Sequence, residues 1–254
     1  MELDEVLSGI AGDGIEFVRF EQTDLHGISR SKTIPAKHVE SFARNGLNFL
    51  LGQLGFDAQA GVAPGTGYLE DRGFPDSKLF PDTDTYAVLP WADSTARLIC
   101  NPHFFDGAPA GASPRLVMGR LCDALADEGY HHLAGYEYEV YLVRAEDRQP
   151  PFEGIQIFAT LRNNFDDAFI RRILRSMPAV GVDVITANAE YGPGQDDTTP
   201  GRLSEVGRWW VGGQLAHLPA LTAFFAPTVN CGKRFKQWSF APVNVSLVPA
   251  QTVA

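Results

Sequence analysis

Cysteine, histidine and cationic side chains are scarce in this 254-residue chain, and each shortage closes off a class of function. The three cysteines, Cys100, Cys122 and Cys231, are far apart and odd in number, so they form neither a disulfide framework nor a CxxC redox or zinc motif. A reducing, cytoplasmic compartment suits them. The 21 Lys and Arg are outnumbered by 31 Asp and Glu, giving a net charge of −10, which leaves no excess of cations to release counterions from a nucleic acid. No apolar run approaches the ~18 residues that a membrane-spanning helix needs. The N-terminal MELDEVLSGIAGDG has no basic segment leading into an apolar one, so neither a membrane partner nor secretion is expected. The phosphate-loop, nucleophile-elbow, zinc-protease and dinucleotide motifs are all missing, and adjacent His131-His132 reads more readily as a solvated pair than as a ligand pair.

What is present is enough to fold. Hydrophobic residues make up 44% and aromatics 11% against 20% charged residues, a balance that supports a substantial core in one domain or two. The 25 glycines and 17 prolines are scattered rather than periodic, which points to many turns in a mixed α+β protein.

Residues 15–24 mix apolar and charged positions as a half-buried strand does, and residues 28–35 form a second strand-like run, so 15–35 reads as a β-hairpin bending at Gly27. Val39, Phe42, Ala43 and Leu47 are spaced three to four apart and predict a helix over 36–51, with Asn45-Gly46 a weak point near its end. Residues 52–82, rich in glycine and proline, read as a long loop. Residues 85–102 read as two strands joined tightly around Pro90–Asp93. Turn formers between Asp106 and Pro114 mark a boundary near residue 111, giving domains at 13–110 and 111–254. Ser113 then caps a helix with Pro114 in its first turn, and Gly129 stops it.

The chemistry is carried by carboxylates. In GYEYEVYLV, residues 135–143, strand alternation puts Glu137, Glu139 and Tyr141 on one face, with side chains two apart roughly 6–7 Å from each other. That separation suits divalent cations, although E-x-E on a solvent-facing strand is equally common. NAEYGPGQDD, residues 188–197, follows the strand VDVITA, and its Gly-Pro-Gly turn can bring Glu190 and Asp197 together; alone it reads as an acidic loop. Lys233-Arg234, after the apolar run 222–229, can clamp a carboxylate or phosphate or sit as surface cations near a helix end.

Together these stretches resemble the glutamine synthetase family over most of the chain. FVRFEQTDLHGISRSKTIPA resembles the start of that family's N-terminal β-grasp domain, and FPDTDTYAVLPWADSTARLIC with the DG-x-P-x(5)-PR that follows resembles its second half. GYEYEVYLV is similar to the metal-binding E-x-E strand, NAEYGPGQDD to the turn with two further metal carboxylates, and GGQLAHLPALTAFFAPTVNCGKRF to the helix and N-x-x-K-R segment before the active-site flap. The resemblance implies a β-grasp domain followed by an α/β catalytic domain. It also implies ligation of ammonia or another amine to the γ-carboxylate of glutamate, dependent on ATP and on Mg²⁺ or Mn²⁺. Glu139, Glu190 and Asp197 would hold one cation, Glu137 would help hold the other, and Arg234 would bind glutamate.

The departures from the family pattern are specific. TTPGRLSEVGRWWVGG follows Asp197 directly, where the family has a long stretch with a metal-binding histidine, and Phe240 occupies the usual place of a flap glutamate. The chain also stops at VNVSLVPAQTVA, before the family's phosphate-binding arginines, so it is expected to be internally deleted and short. The N-terminal wording is especially similar to a vertebrate lens branch regarded as lacking the enzymatic activity. Two functions are therefore expected to compete, an impaired ligase and a non-catalytic assembly protein. The resemblance implies a homo-oligomeric ring for either, its active sites lying between neighbouring subunits.

Overall fold

A computed structural model describes residues 1–57, 59–135, 138–141, 147, 149, 157–160, 170–189, 195–200 and 244–249. The chain separates into two compact units, the first holding residues 1–124 and the second starting at 125. One mixed sheet, two antiparallel sheets and helices make it an α+β protein.

The first unit opens with helix α1 (Leu3–Gly12), in a stretch where the sequence patterning had suggested no element. Glu5 supports its start by accepting the Glu2 backbone N–H at 2.8 Å, and Val6 and Ile10, one turn apart, are its buried residues. Strands β1 (Phe17–Thr23) and β2 (Ser29–Pro35) form the expected hairpin, with Gly27 at φ 74° in the bend.

The helix expected over 36–51 is much shorter. After a 3₁₀ turn it occupies only α2 (Val39–Asn45), because Gly46 takes φ 76°, ψ 141°, a conformation that essentially only glycine adopts. A Cβ at Gly46 would lie 2.9 Å from the Phe80 ring and 3.0 Å from the Lys78 side chain. Strand β3 (Leu47–Leu50) follows immediately.

The long loop expected over 52–82 also ends early, since its last residues belong to strand β4 (Asp76–Val88). Pro81 disguised that strand in the sequence. Pairing with β3 stops at Leu79, so the missing N–H of Pro81 faces no β3 partner and does the ladder no harm. The ladder to β5 (Thr95–His103) shifts register between Asp82 and Ala87.

The sheet runs β2-β1-β5-β4-β3, with β1 and β5 parallel at its centre and the other pairs antiparallel. Val18, Phe20, Ala96, Leu98 and Cys100 bury one face of the central strands together with Val6, Ile10, Val39 and Ala43 of α1 and α2. The sheet curls far enough for one side chain to link its two edges. Lys32 on β2 donates from Nζ to the Asn48 carbonyl on β3 at 2.6 Å, and Nζ stands 5.5 Å from the centre of the Phe49 ring. Helix α3 (Pro114–Asp127) starts as expected after Ser113, whose carbonyl accepts the Val117 N–H at 2.9 Å, and Gly129 follows its end at φ 81°. Arg115 ties the first turn of α3 to the sheet, donating to Asp82 at 2.6 Å and to Asn101 at 2.9 Å.

In the second unit the strand expected over 135–143 is divided between two sheets. Strand β6 (Tyr130–Gly135) pairs antiparallel with β10 (Asn244–Pro249), while β7 (Tyr138–Tyr141) joins a three-stranded antiparallel sheet ordered β7-β9-β8. Strand β8 is Val184–Ala189, as VDVITA suggested, and β9 is Gln195–Pro200. Ile173, Met177, Val180, Val182 and Ala189 are buried in this unit, the first of them on a helical segment over 170–176. Among the described residues, no helix is long and apolar enough to cross a membrane.

Candidate functional site

The three-stranded sheet brings two of the predicted metal carboxylates into register. Glu139 of β7 lies directly opposite Asp197 of β9, and Asp197 lies opposite Asn188 of β8 on its other side. Residues facing each other in an antiparallel pair share a face of the sheet, with Cβ atoms ~4.5–5.5 Å apart. The row Glu139, Asp197, Asn188 therefore crosses one face with two carboxylates adjacent. Asp197 belongs to a strand, not to the turn expected from the sequence, because β9 is paired on both sides and its Thr198-Thr199 favours extended backbone.

The other predicted residues, Glu137, Glu190 and Arg234, lie outside the described residues. Among the described residues no group of three or more His, Cys, Asp or Glu could hold a metal ion, so this pairing rests on strand register. Adjacent oxygen-donor residues on one sheet face fit a hard divalent cation, which takes carboxylate oxygens in preference to sulfur or imidazole.

The first unit has chemistry-bearing groups of its own, and they are committed to structure. The Asp24 carboxylate is fully buried; it accepts backbone N–H groups of His26 at 2.8 Å and Ile28 at 3.0 Å and is held by Arg30. Burial pushes the Glu21 carboxyl above its usual range, with Arg97, at 3.8 Å, and Arg19 opposing the shift, while burial lowers Arg97. Burial likewise raises the Cys100 thiol well above its ordinary value, which makes it a poor nucleophile. A cavity of about 530 Å³ beside α3 is lined by Asp82, Asp84, Asn101, Arg115, Arg120 and Asp123 among others, but the Arg115 contacts to Asp82 and Asn101 give its polar groups a bracing role.

Residues 195–249, which include β9 and β10, match the glutamine synthetase catalytic domain. Lengsin of Canis lupus familiaris is 33% identical over 192 residues, covering 73% of this chain and 32% of lengsin. A glutamate–isopropylamine ligase of Pseudomonas sp is 26% identical over 195 residues, covering 71% of this chain and 42% of the ligase. The solved structure of a GmaS/ADP complex has the same fold, with a TM-score of 0.75 at 21% identity over 97% of this chain and 56% of that one. The chain belongs to the glutamine synthetase family. It spans about a third of the dog lengsin and less than half of the isopropylamine ligase.

Proposed function

We propose that the catalytic architecture in this chain is that of an ATP-dependent ligase joining ammonia or a small amine to the γ-carboxylate of glutamate. The observation that carries the reading is the cross-strand pairing of Glu139 with Asp197. In the reaction a γ-carboxylate oxygen of glutamate attacks the terminal phosphorus of ATP and expels ADP, giving γ-glutamyl phosphate. The amine nitrogen then attacks the acyl carbon, phosphate leaves, and the nitrogen gives up a proton. Bound Mg²⁺ or Mn²⁺ would supply charge neutralisation for the transferring phosphoryl group. Glu139 and Asp197, with Glu190, hold one cation in this reading, Glu137 contributes to a second, and Arg234 clamps a carboxylate of glutamate.

The same reading divides the chain into a β-grasp domain at 13–110 and a partial catalytic domain at 111–254. The mixed sheet with parallel β1 and β5 at its centre supports the first assignment. It makes the protein a cytoplasmic homo-oligomer whose N-terminal domain completes a neighbour's site. The names of the isopropylamine ligase and of other relatives, a γ-glutamylanilide synthase and a γ-glutamylethanolamide synthetase, support an amine larger than ammonia. Because the family's histidine stretch has no counterpart after Asp197, this chain by itself is weakly active or inactive as a ligase. The second reading, a non-catalytic assembly protein, draws on the 33% identity to lengsin.

Calorimetric titration of Mn²⁺ with ATP into the chain separates them when run beside a Glu137→Ala, Glu139→Ala double variant. The ligase reading expects saturable binding that the double variant loses. A folded, oligomeric chain that binds neither would leave the assembly reading in its place.

A further inference from the structure

The bracing around Arg115 accounts for only part of the lining of the cavity beside α3, whose volume is about 530 Å³. That size falls within the roughly 300–1,000 Å³ of small-molecule sites. The helical wall carries Arg115, Gly119 and Asp123 at four-residue intervals on one face of α3, with Arg120 beside them. Glycine in a helix interior is less stable than alanine, so Gly119 calls for a reason in packing or in function. Packing supplies none, because a Cβ at Gly119 would meet no other part of the fold within 4 Å. What the missing side chain leaves open is the cavity. We propose that this cavity is a binding site for a small basic α-amino acid, a ligand with one carboxylate and two cationic groups.

The charges of the lining select that class. Asp82 is set against Arg115 by their ion pair, which leaves Asp84 and Asp123 facing Arg120. Two negative groups and one positive group match the ligand in number and in sign. Arg120 donates to the Gly111 carbonyl at 2.9 Å, which holds the guanidinium in place and leaves other N–H groups for a carboxylate. Asn101 receives Arg115 on its Oδ1, so its amide nitrogen is the side that can donate to the same carboxylate. Asp84 already accepts one ammonium, that of Met1, in an exposed pair that a ligand's ammonium can join or replace. A simple anion would face the charges of Asp84 and Asp123, and a diamine would leave Arg120 without a counter-charge. None of these residues belongs to the cation site, so the inference stands apart from the ligase reading.

The test is calorimetric titration of the full chain with L-lysine and with two analogues that each lack one charged group: L-norleucine, without the side-chain ammonium, and 1,5-diaminopentane, without the carboxylate. The expected result is saturable binding of L-lysine and affinity at least ~10-fold weaker for each analogue, the effect of losing one charge-assisted hydrogen bond. Gly119→Leu places a side chain in the cavity and should weaken L-lysine at least ~10-fold while melting no lower than the wild type. Arg120→Gln, on an exposed side chain, should weaken L-lysine by a similar factor without weakening 1,5-diaminopentane, and so gives an answer that does not depend on core packing. Glu139→Gln should bind L-lysine as the wild type does, which separates this cavity from the cation site. A folded wild type that does not bind L-lysine, equal affinities for the three compounds, or L-lysine binding unchanged in both Gly119→Leu and Arg120→Gln would overturn the inference and leave the ligase reading untouched.

Discussion

Glu139 and Asp197 face each other across the β7–β9 ladder although 57 positions separate them in sequence, and this pairing puts two carboxylates on one face of a small sheet. Adjacent like charges on a sheet are unfavourable by themselves. A bound divalent cation would reverse that sign and link folding to metal. Mn²⁺ at a hundred times its dissociation constant should therefore stabilise the wild type by about 2.7 kcal/mol. Differential scanning calorimetry with Mn²⁺ and with EDTA should show this shift in the wild type and none in Glu139→Gln; equal shifts in the two would count against the pair as the site.

Asp24 makes a separate prediction in the first unit. Its buried carboxylate satisfies two backbone N–H groups of the β1–β2 turn and holds Arg30, so Asp24→Ala leaves those donors without their acceptor. The expected loss is about 3 kcal/mol, read as a lower urea midpoint, with Asp24→Asn losing less because it keeps an acceptor oxygen. A change below about 0.5 kcal/mol, the size of an ordinary surface substitution, would show that the turn is held by other contacts.

The hairpin and α3 were legible in the sequence because their signals are local: Gly27 marks a bend, and Ser113-Pro114 marks a helix start. The first part of strand β4 was not, because Pro81 reads as a breaker unless one knows where β3 stops, whereas its end at 85–88 and strand β5 were read as the two strands of 85–102. The length of α2 was hidden for a similar reason, since the apolar spacing continues through Leu47 while the backbone turns at Gly46. At the candidate site, residue types were readable from E-x-E and QDD, but the pairing of Glu139 with Asp197 is a long-range register that local periodicity does not encode.

Gly46 should be the least replaceable of the positive-φ glycines described in the first unit. Gly46→Ala forces a side chain into φ 76°, ψ 141° and against Phe80 and Lys78, whereas Gly14, at φ 64°, has nothing within 4 Å of the new Cβ. Backbone strain alone is of order 1–3 kcal/mol, and the contacts add to it. Thermal melting should place Gly46→Ala well below Gly14→Ala; matching values would mean the α2–β3 junction relaxes at little cost.

Arg97 and Glu21 make the last prediction, in which pH sets the size of the effect. Arg97 is buried on β5 with Glu21 of β1 at 3.8 Å, and burial raises the Glu21 carboxyl even though Arg97 pulls it down. Folded Glu21 therefore holds its proton to higher pH than the unfolded chain, whose value is near 4.5. Its contribution favours folding below that pH and is lost as pH rises through the raised folded value. Arg97→Met removes the cation that offsets this loss, so at neutral pH it leaves a buried carboxylate without its principal partner, a cost of about 3–5 kcal/mol. At acid pH, where Glu21 is protonated, the same substitution should cost distinctly less. Glu21→Gln in the Arg97→Met background should recover much of the neutral-pH loss, because it removes the stranded charge while keeping the shape. Chemical denaturation of the two single variants and the double variant at both pH values completes the cycle. A cost for Arg97→Met that does not change with pH would show that Glu21 is not the group Arg97 serves.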